Sequence, residues 1–208
     1  MSVTPLGGRP IAAGKPFAFT PEYRALADKI IAKYPAGRQQ SAVMPLLDLA
    51  QRQNEGWLSR ETLAHVAEIL DMALIRVYEV ATFYTMYNLT PVGRHLVQVC
   101  TTTPCWLRGS DDVVAACSKA LGIDLGATTP DGRFTLREVE CLGACVNAPM
   151  VQIGDDYFED LDAKSMTAII EALKRGEAPK PGPQNGRQTS APLGGATTLK
   201  DLPAKQGS

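Results

Sequence analysis

Apolar positions recur at helical spacing through the first part of the chain and alternate in short runs beyond it. The pattern predicts helices first and a mixed helix–strand region second. Thr20-Pro21 supplies an N-cap followed by proline at the first helical position, and EYRALADKIIAKY keeps helical periodicity until Pro35-Ala36-Gly37. A second helix is predicted over about 39–54, with Val43, Leu46, Leu47 and Ala50 on one face and Asn54-Glu55-Gly56 at its end. Ser59 caps a third helix that runs through Leu70, with Leu63, Val66, Ile69 and Leu70 as its apolar residues. The fourth segment, IRVYEVATFYTMYNL at 75–89, has no clear polar face, because Val77, Tyr78, Val80, Ala81, Phe83, Tyr84, Met86 and Tyr87 surround it. Such a helix is either the central member of a small bundle or is pressed on a partner.

Thr90-Pro91-Val92-Gly93 breaks this pattern. Beyond it the sequence predicts a strand at His95–Cys100, a helix over Ser110–Leu121 stopped by Gly122, and a strand at Phe134–Glu140. Pro149–Ile153, Gly154-Asp155-Asp156 and Tyr157-Phe158 read as a hairpin, and residues 163–174 as a closing helix with Met166, Ile169, Ile170 and Leu173 inward. The order β-α-β-β-β-α predicts a small α/β sandwich of roughly 80 residues. The last stretch, from about Gly176, is rich in Pro, Gly and polar residues and almost empty of core formers, so alone it is expected to be disordered. Its only apolar anchor is the LKDLP segment near the end.

Composition narrows the function classes. The chain has 208 residues, 45% hydrophobic and 21% charged, with a net charge of -1. That is ordinary for a globular chain and shows no basic excess for nucleic acid and no polybasic block for an anionic membrane. No apolar run reaches membrane-spanning length, and the first residues lack the apolar core of a signal peptide, so a cytosolic chain is expected. No Gly-rich dinucleotide fingerprint and no Ser-His-Asp or Cys-His arrangement is visible.

Chemistry concentrates in the cysteines. There are five, an odd number, and a reducing compartment disfavours structural disulfides. Cys100-x₄-Cys105 in VQVCTTTPCWLRGS and Cys141-x₃-Cys145 in REVECLGACVNAPM both follow predicted strand ends. Adjacent strands of one sheet would bring the two loops to one edge and gather four thiolates. A structural zinc would take four thiolates in a tetrahedron. A [2Fe–2S] cluster takes two cysteines for each iron, and longer ligand loops leave room for the sulfides. Spacing favours iron–sulfur over zinc, and Gly143 and Ala144 are small enough for backbone amides to approach cluster sulfur. The nearby threonines and Ser110 add hydrogen-bonding capacity. Neither pair has the C-x-x-C spacing of a thiol redox enzyme. A Rieske centre would need two histidines beside the cysteines, and His65 and His95 are placed wrongly for it. Cys117 shares a helix face with Val113, Val114 and Leu121 and reads as a buried small hydrophobe.

Two stretches, YEVATFYTMYNLTPVGRHLVQVCTTTPCWLRGS and ECLGACVNAPMVQIGDDYFEDL, resemble the thioredoxin-like [2Fe–2S] subunit of respiratory NADH:quinone oxidoreductase, complex I, which is the 24 kDa-type subunit. The resemblance covers about residues 20–175. It implies an α+β chain with a helical bundle at 20–90 and a thioredoxin-like α/β [2Fe–2S] ferredoxin domain at 91–175, while composition reads 1–19 as an irregular arm and 176–208 as an extended or disordered tail. It implies that Cys100, Cys105, Cys141 and Cys145 ligate one [2Fe–2S] cluster, and it gives Cys117 no ligand position. It further implies a partner subunit that binds FMN and NADH, with the cluster accepting one electron from reduced flavin off the main wire to quinone. The complex would be peripheral to the inner face of a bacterial cell membrane. Small [2Fe–2S] subunits of soluble NAD-dependent formate dehydrogenases or hydrogenases share these motifs, and a zinc-binding interaction domain is a third reading. Near the second pair, Glu138 and Glu140 would disfavour an added electron, and Arg108 and Arg137 would oppose them.

Overall fold

The computed structural model describes residues 11–195 and 198. The chain divides into two units between Arg94 and His95. In the first unit, α1 (Pro21–Ile31) starts where Thr20 accepts the Tyr23 N–H at 3.4 Å. A 3₁₀ turn at Gln39–Ala42 leads into α2 (Val43–Gln53), which is followed by α3 (Arg60–Ile69) and α4 (Leu74–Phe83). Leu46, Leu47 and Ala50 from α2, Leu63, Val66 and Ala67 from α3, and Val77 and Ala81 from α4 close the core with Leu58, Tyr87 and Leu89. The buried Tyr87 hydroxyl donates to the Met44 carbonyl at 2.9 Å, which answers the need of a polar atom inside an apolar cluster.

The fourth helix is shorter than its periodicity predicts. It stops at Phe83, where Tyr84 takes an extended conformation, and residues beyond it run irregularly to Leu89. Tyr87 and Leu89 are buried in the core and Asn88 bonds across the unit, its side-chain amide donating to Gly56 O at 2.8 Å. Such tertiary bonds satisfy the backbone and side chains without further helical turns. The residues before α1 also belong to this core: Ile11 and Phe19 are buried, Ala12 N–H donates to Leu89 O, and Arg60 N–H donates to Ala12 O.

Ser59 caps α3 by accepting the Thr62 N–H at 3.2 Å from a buried position. A Cβ on Gly14 would stand 2.5 Å from the Ser59 Cβ, so this close approach requires glycine. Ser59→Ala leaves the N–H of Thr62 without its acceptor and is expected to cost the first unit about 1 kcal/mol, read as a lower urea midpoint with helix content retained.

The second unit is a five-stranded sheet in the order β2-β1-β3-β4-β5, built from β1 (His95–Cys100), β2 (Phe134–Val139), β3 (Val151–Ile153), β4 (Asp156–Glu159) and β5 (Gly182–Pro183). β1 and β2 are parallel, with His95 opposite Phe134 and Cys100 opposite Val139. β3 pairs antiparallel with β1 and with β4, the latter through the Gly154 turn. The chain between β1 and β2 carries α5 (Thr103–Leu107) and α6 (Ser110–Leu121), as a parallel crossover requires. Gly122, left-handed at φ 68°, ends α6. After β4, α7 (Ala163–Lys174) opens with a reciprocal capping box between Asp162 and Ser165. Val113 and Cys117 of α6 and Met166, Ile169, Ile170 and Leu173 of α7 pack with Val97, Val99, Phe134, Leu136, Val151 and Phe158 of the sheet. This is a two-layer α/β arrangement.

Beyond α7 the described chain is irregular apart from β5, which pairs parallel with β4. The described part of this tail places no residue in the hydrophobic core and is held by polar contacts instead. The LKDLP segment at 199–203 lies outside the described residues.

Candidate functional site

The parallel register of β1 and β2 decides where the cysteines go. Both strands end at the same edge of the sheet, so the loop after Cys100 and the loop after Val139 leave side by side. They are tied there: Thr101 N–H donates to Val139 O at 3.4 Å, and the Thr101 hydroxyl donates to Glu138 Oε1 at 2.6 Å. Cys100 is the last residue of β1. Cys105 sits in α5, which starts behind Thr102 with Pro104 in its first turn. Both of these thiols are buried. Cys141 and Cys145 are exposed, and their sulfurs are 3.7 Å apart. Cys145 opens a 3₁₀ turn, Cys145–Asn147.

The two loops also meet at the sulfurs. Burial alone would raise the Cys100 pKa, but the Thr102 hydroxyl, 3.3 Å away, and the backbone N–H groups of Leu142 and Thr102 outweigh it and hold the thiol below its ordinary value. The Leu142 amide belongs to the second cysteine loop, so that loop already directs a donor at the sulfur of the first. Cys105 behaves oppositely: burial pushes it up to about 12, and its contact with Cys100 adds to the rise. Cys145 is raised first by its hydrogen bond with Cys141 and is also influenced by Cys100. Cys105 in turn feels Cys145, so both pairs share one electrostatic environment. The Tyr157 hydroxyl donates to Leu142 O at 2.9 Å and props this loop from β4. Ala148, Met150, Leu142, Ala144 and Tyr157 surround the buried pair with apolar contacts.

The loops that carry the two cysteine pairs thus leave the same end of the sheet, whereas Cys117 lies apart from them. It lies in α6, buried in the core of the second unit, with its thiol pushed up to about 12 by burial. The histidines are engaged elsewhere. His65 Nε2 accepts the Phe19 N–H at 3.1 Å in the first unit. His95 starts β1, its ring 5.1 Å from that of Phe134, at the end of the strand opposite to Cys100. Glu138 is occupied by Thr101. Ser110 is buried, and its hydroxyl makes no hydrogen bond among the described residues.

Three participants carry no sequence signal of their own. The short helix α5 is too brief for a periodic pattern, although Thr102 before Thr103-Pro104 is a weak start signal. The Leu142 amide and the Tyr157 hydroxyl act through backbone direction and a contact across 15 residues.

Among the described residues, no three His, Cys, Asp or Glu side chains surround one point in the way that a single metal ion requires. The thiols are grouped by loop, Cys100 with Cys105 and Cys141 with Cys145, and two cysteines to each iron is the ligand set of a binuclear cluster. Gly143, left-handed at φ 85° between the second pair, meets nothing within 4 Å of where a Cβ would be, so the loop has room on that side.

This fold and this paired-thiol site define a class. The family described as thioredoxin-like [2Fe–2S] ferredoxin matches residues 27–174, and the chain belongs to it. The family brings a [2Fe–2S] cluster as its cofactor. The chain is 52% identical over 188 residues to the NADH dehydrogenase [ubiquinone] flavoprotein 2, mitochondrial, of Dictyostelium discoideum, covering 90% of this chain and 76% of that one. It is 59% identical over 158 residues to an NADH-quinone oxidoreductase subunit of Rickettsia conorii, covering 76% of this chain and 95% of that one. In fold it is similar to an NAD+-reducing [NiFe]-hydrogenase in the H2-reduced state, with a TM-score of 0.55 and 24% identity. That match covers 65% of this chain and 23% of the hydrogenase chain. No helix among the described residues is long and apolar enough to cross a membrane.

Proposed function

We propose that this chain is the electron-transfer subunit of the NADH-oxidising module of an NADH:quinone oxidoreductase. In this reading Cys100 and Cys105 hold one iron of a [2Fe–2S] cluster and Cys141 and Cys145 hold the other. One observation carries it: parallel pairing of β1 and β2 delivers two thiol pairs to one sheet edge, in a chain 52–59% identical to subunits of such enzymes. One-electron acceptance from reduced flavin is the chemistry that a [2Fe–2S] cluster supplies when bound. The chain's own residues do the rest. The Thr102 hydroxyl and the Thr102 and Leu142 amides direct hydrogen-bond donors at the Cys100 sulfur, which stabilises negative charge there. Burial of Cys100 and Cys105 keeps water from one side of the site, while the exposed second pair leaves the other side open to electron exchange.

FMN and NADH bind a partner subunit in this reading, and the chain is not catalytically complete alone. Exposed Trp106, Leu107 and Val146 lie next to the cysteines in sequence and would face the flavin-bearing partner. The end of α4 and the chain just after it, with Phe83 76% and Met86 52% exposed, would offer a further contact surface to the peripheral arm. The complex would hold the chain on the cytoplasmic side, at the inner face of the cell membrane. A soluble formate dehydrogenase or hydrogenase is disfavoured, because likeness to the hydrogenase is at the level of fold.

The test is spectroscopic. The anaerobically purified chain is expected to be brown, with about two irons and two sulfides per chain and a [2Fe–2S] EPR signal after dithionite. Colourless protein with stoichiometric zinc, refractory to reconstitution with iron and sulfide, would overturn the reading.

A further inference from the structure

Cys145 is exposed, its sulfur 3.7 Å from that of Cys141. It opens the backbone turn Cys145–Asn147, whose placement fixes where the cysteine stands. That turn is tied down from below by residues far away in sequence. Asp160 N–H donates to Asn147 O at 2.8 Å. The buried Asn147 amide donates to Glu159 Oε2 at 2.8 Å and to Thr189 O at 2.9 Å. Arg187 reaches Val146 O through Nη1 at 3.3 Å and Asp160 Oδ1 through Nη2 at 2.7 Å. The Arg187 and Asp160 side chains are only 14% and 4% exposed. The tail that carries Arg187 and Thr189 is itself laid along β4, where Gln184 N–H extends the β5 pairing by donating to Glu159 O at 2.9 Å.

We infer that Arg187 is a positioning residue for Cys145, clamping the 145–147 turn to the Asp160 corner so that the second cysteine pair is held at a fixed place. The inference rests on the cluster reading given above. The first pair needs no such clamp, since Cys100 and Cys105 are fixed by a strand end, a helix and burial. Asp160 adopts a left-handed φ of 51°, an uncommon conformation that Asp tolerates better than most non-glycine residues and that marks a sharp corner of the chain here. Arg187 Nε and Asp160 Oδ2 are buried without hydrogen-bond partners among the described residues, so the pair depends on its single short contact. A guanidinium can serve Val146 O and Asp160 at once because its donors form a rigid fork. An ammonium is a point charge and cannot reproduce that geometry.

The experiment compares the full chain, cluster loaded, with Arg187→Lys and Arg187→Gln. Three quantities are read: the rate of iron release to a chelator, the EPR line shape after dithionite, and the midpoint potential. Loss of a partner that orients a metal ligand weakens metal holding about 10-fold or more. Both variants are therefore expected to release iron about 10-fold faster, with shifted or broadened EPR signals, and lysine should not rescue. Wild-type release and spectra in both variants, or rescue by lysine alone, overturn the inference, the latter because charge rather than geometry would then be responsible. Should the single variants fail to fold, Asp160→Asn/Arg187→Gln removes both buried charges together, and wild-type behaviour of that chain overturns the inference equally. An unsubstituted chain without any [2Fe–2S] signal would instead sink the cluster reading itself, and this inference with it.

Discussion

Cys100→Ala is expected to take the bound iron from about two per chain to near zero, whereas Cys117→Ala should leave it at the wild-type level. Cys100 occupies the last position of β1, buried, with the Thr102 hydroxyl and the Leu142 and Thr102 amides directed at its sulfur. Among the described residues no other side chain stands ready to replace it, since His95 is at the opposite end of the strand and Glu138 is engaged by Thr101. An alanine methyl would leave one iron short of a ligand and the surrounding donors without an acceptor. Cys117 differs in every respect that matters. It sits on the core face of α6, its thiol held protonated near neutrality by burial, and its replacement removes one small buried sulfur, worth about 1 kcal/mol of packing. Iron content and visible absorbance, with circular dichroism as the folding control, separate the two. Iron lost from a folded Cys117→Ala chain, or two irons kept by Cys100→Ala, would refute the ligand assignment.

Leu63→Ala is expected to destabilise the helical unit by about 3 kcal/mol and to leave the cluster spectrum unchanged. Leu63 is fully buried in α3, which packs between α2 and α4 with Leu46, Leu47, Val66 and Val77 in the same cluster. Truncation to alanine removes the transfer energy of the isobutyl group and leaves a cavity that three packed helices can only partly close. A unit of this size has a total stability of roughly 5–10 kcal/mol, so the loss is a large fraction of it. With a urea slope of about 1.5 kcal/mol/M, the midpoint should fall by about 2 M. Of the two tryptophans, Trp57 lies in the first unit and Trp106 in the second, so a Trp106→Phe background makes fluorescence report on the helical unit alone. A shift below about 0.5 M would mean that α3 contributes little to the core. Loss of the EPR signal at low urea would mean that the cluster depends on the first unit.

Several elements were legible in the sequence because their signals are local. Thr20-Pro21 before an amphipathic run, Ser59 before another, and Gly122 at the end of α6 each encode a backbone conformation or a cap within one turn. The β-branched run that ends at Cys100 and the alternation in 134–140 encode strands in the same way, since side-chain direction repeats every second residue. The cysteine pairs were legible as pairs because each is contained in one loop. Other features have no such signature. The end of α4 was overestimated because apolar residues continue through Tyr87 and Leu89, and periodicity does not distinguish a helix that continues from a chain that leaves the helix to bury the same residues.

By itself, then, the sequence determined most of the longer helices and strands, that two thiol pairs follow strand ends, and that Cys117 lies on a helix face apart from them. Tertiary structure alone decided that β1 and β2 pair in parallel with Cys100 opposite Val139, which makes two separate loops into one site. It also decided that the Leu142 amide faces Cys100 and that Arg187 closes on Asp160 across 27 residues to hold the turn under Cys145. The physical reason is that caps and periodic patterns are short-range consequences of backbone geometry. A parallel register, an amide direction and the partner of a lone arginine in a polar tail depend on which distant surfaces meet once the apolar layers have packed.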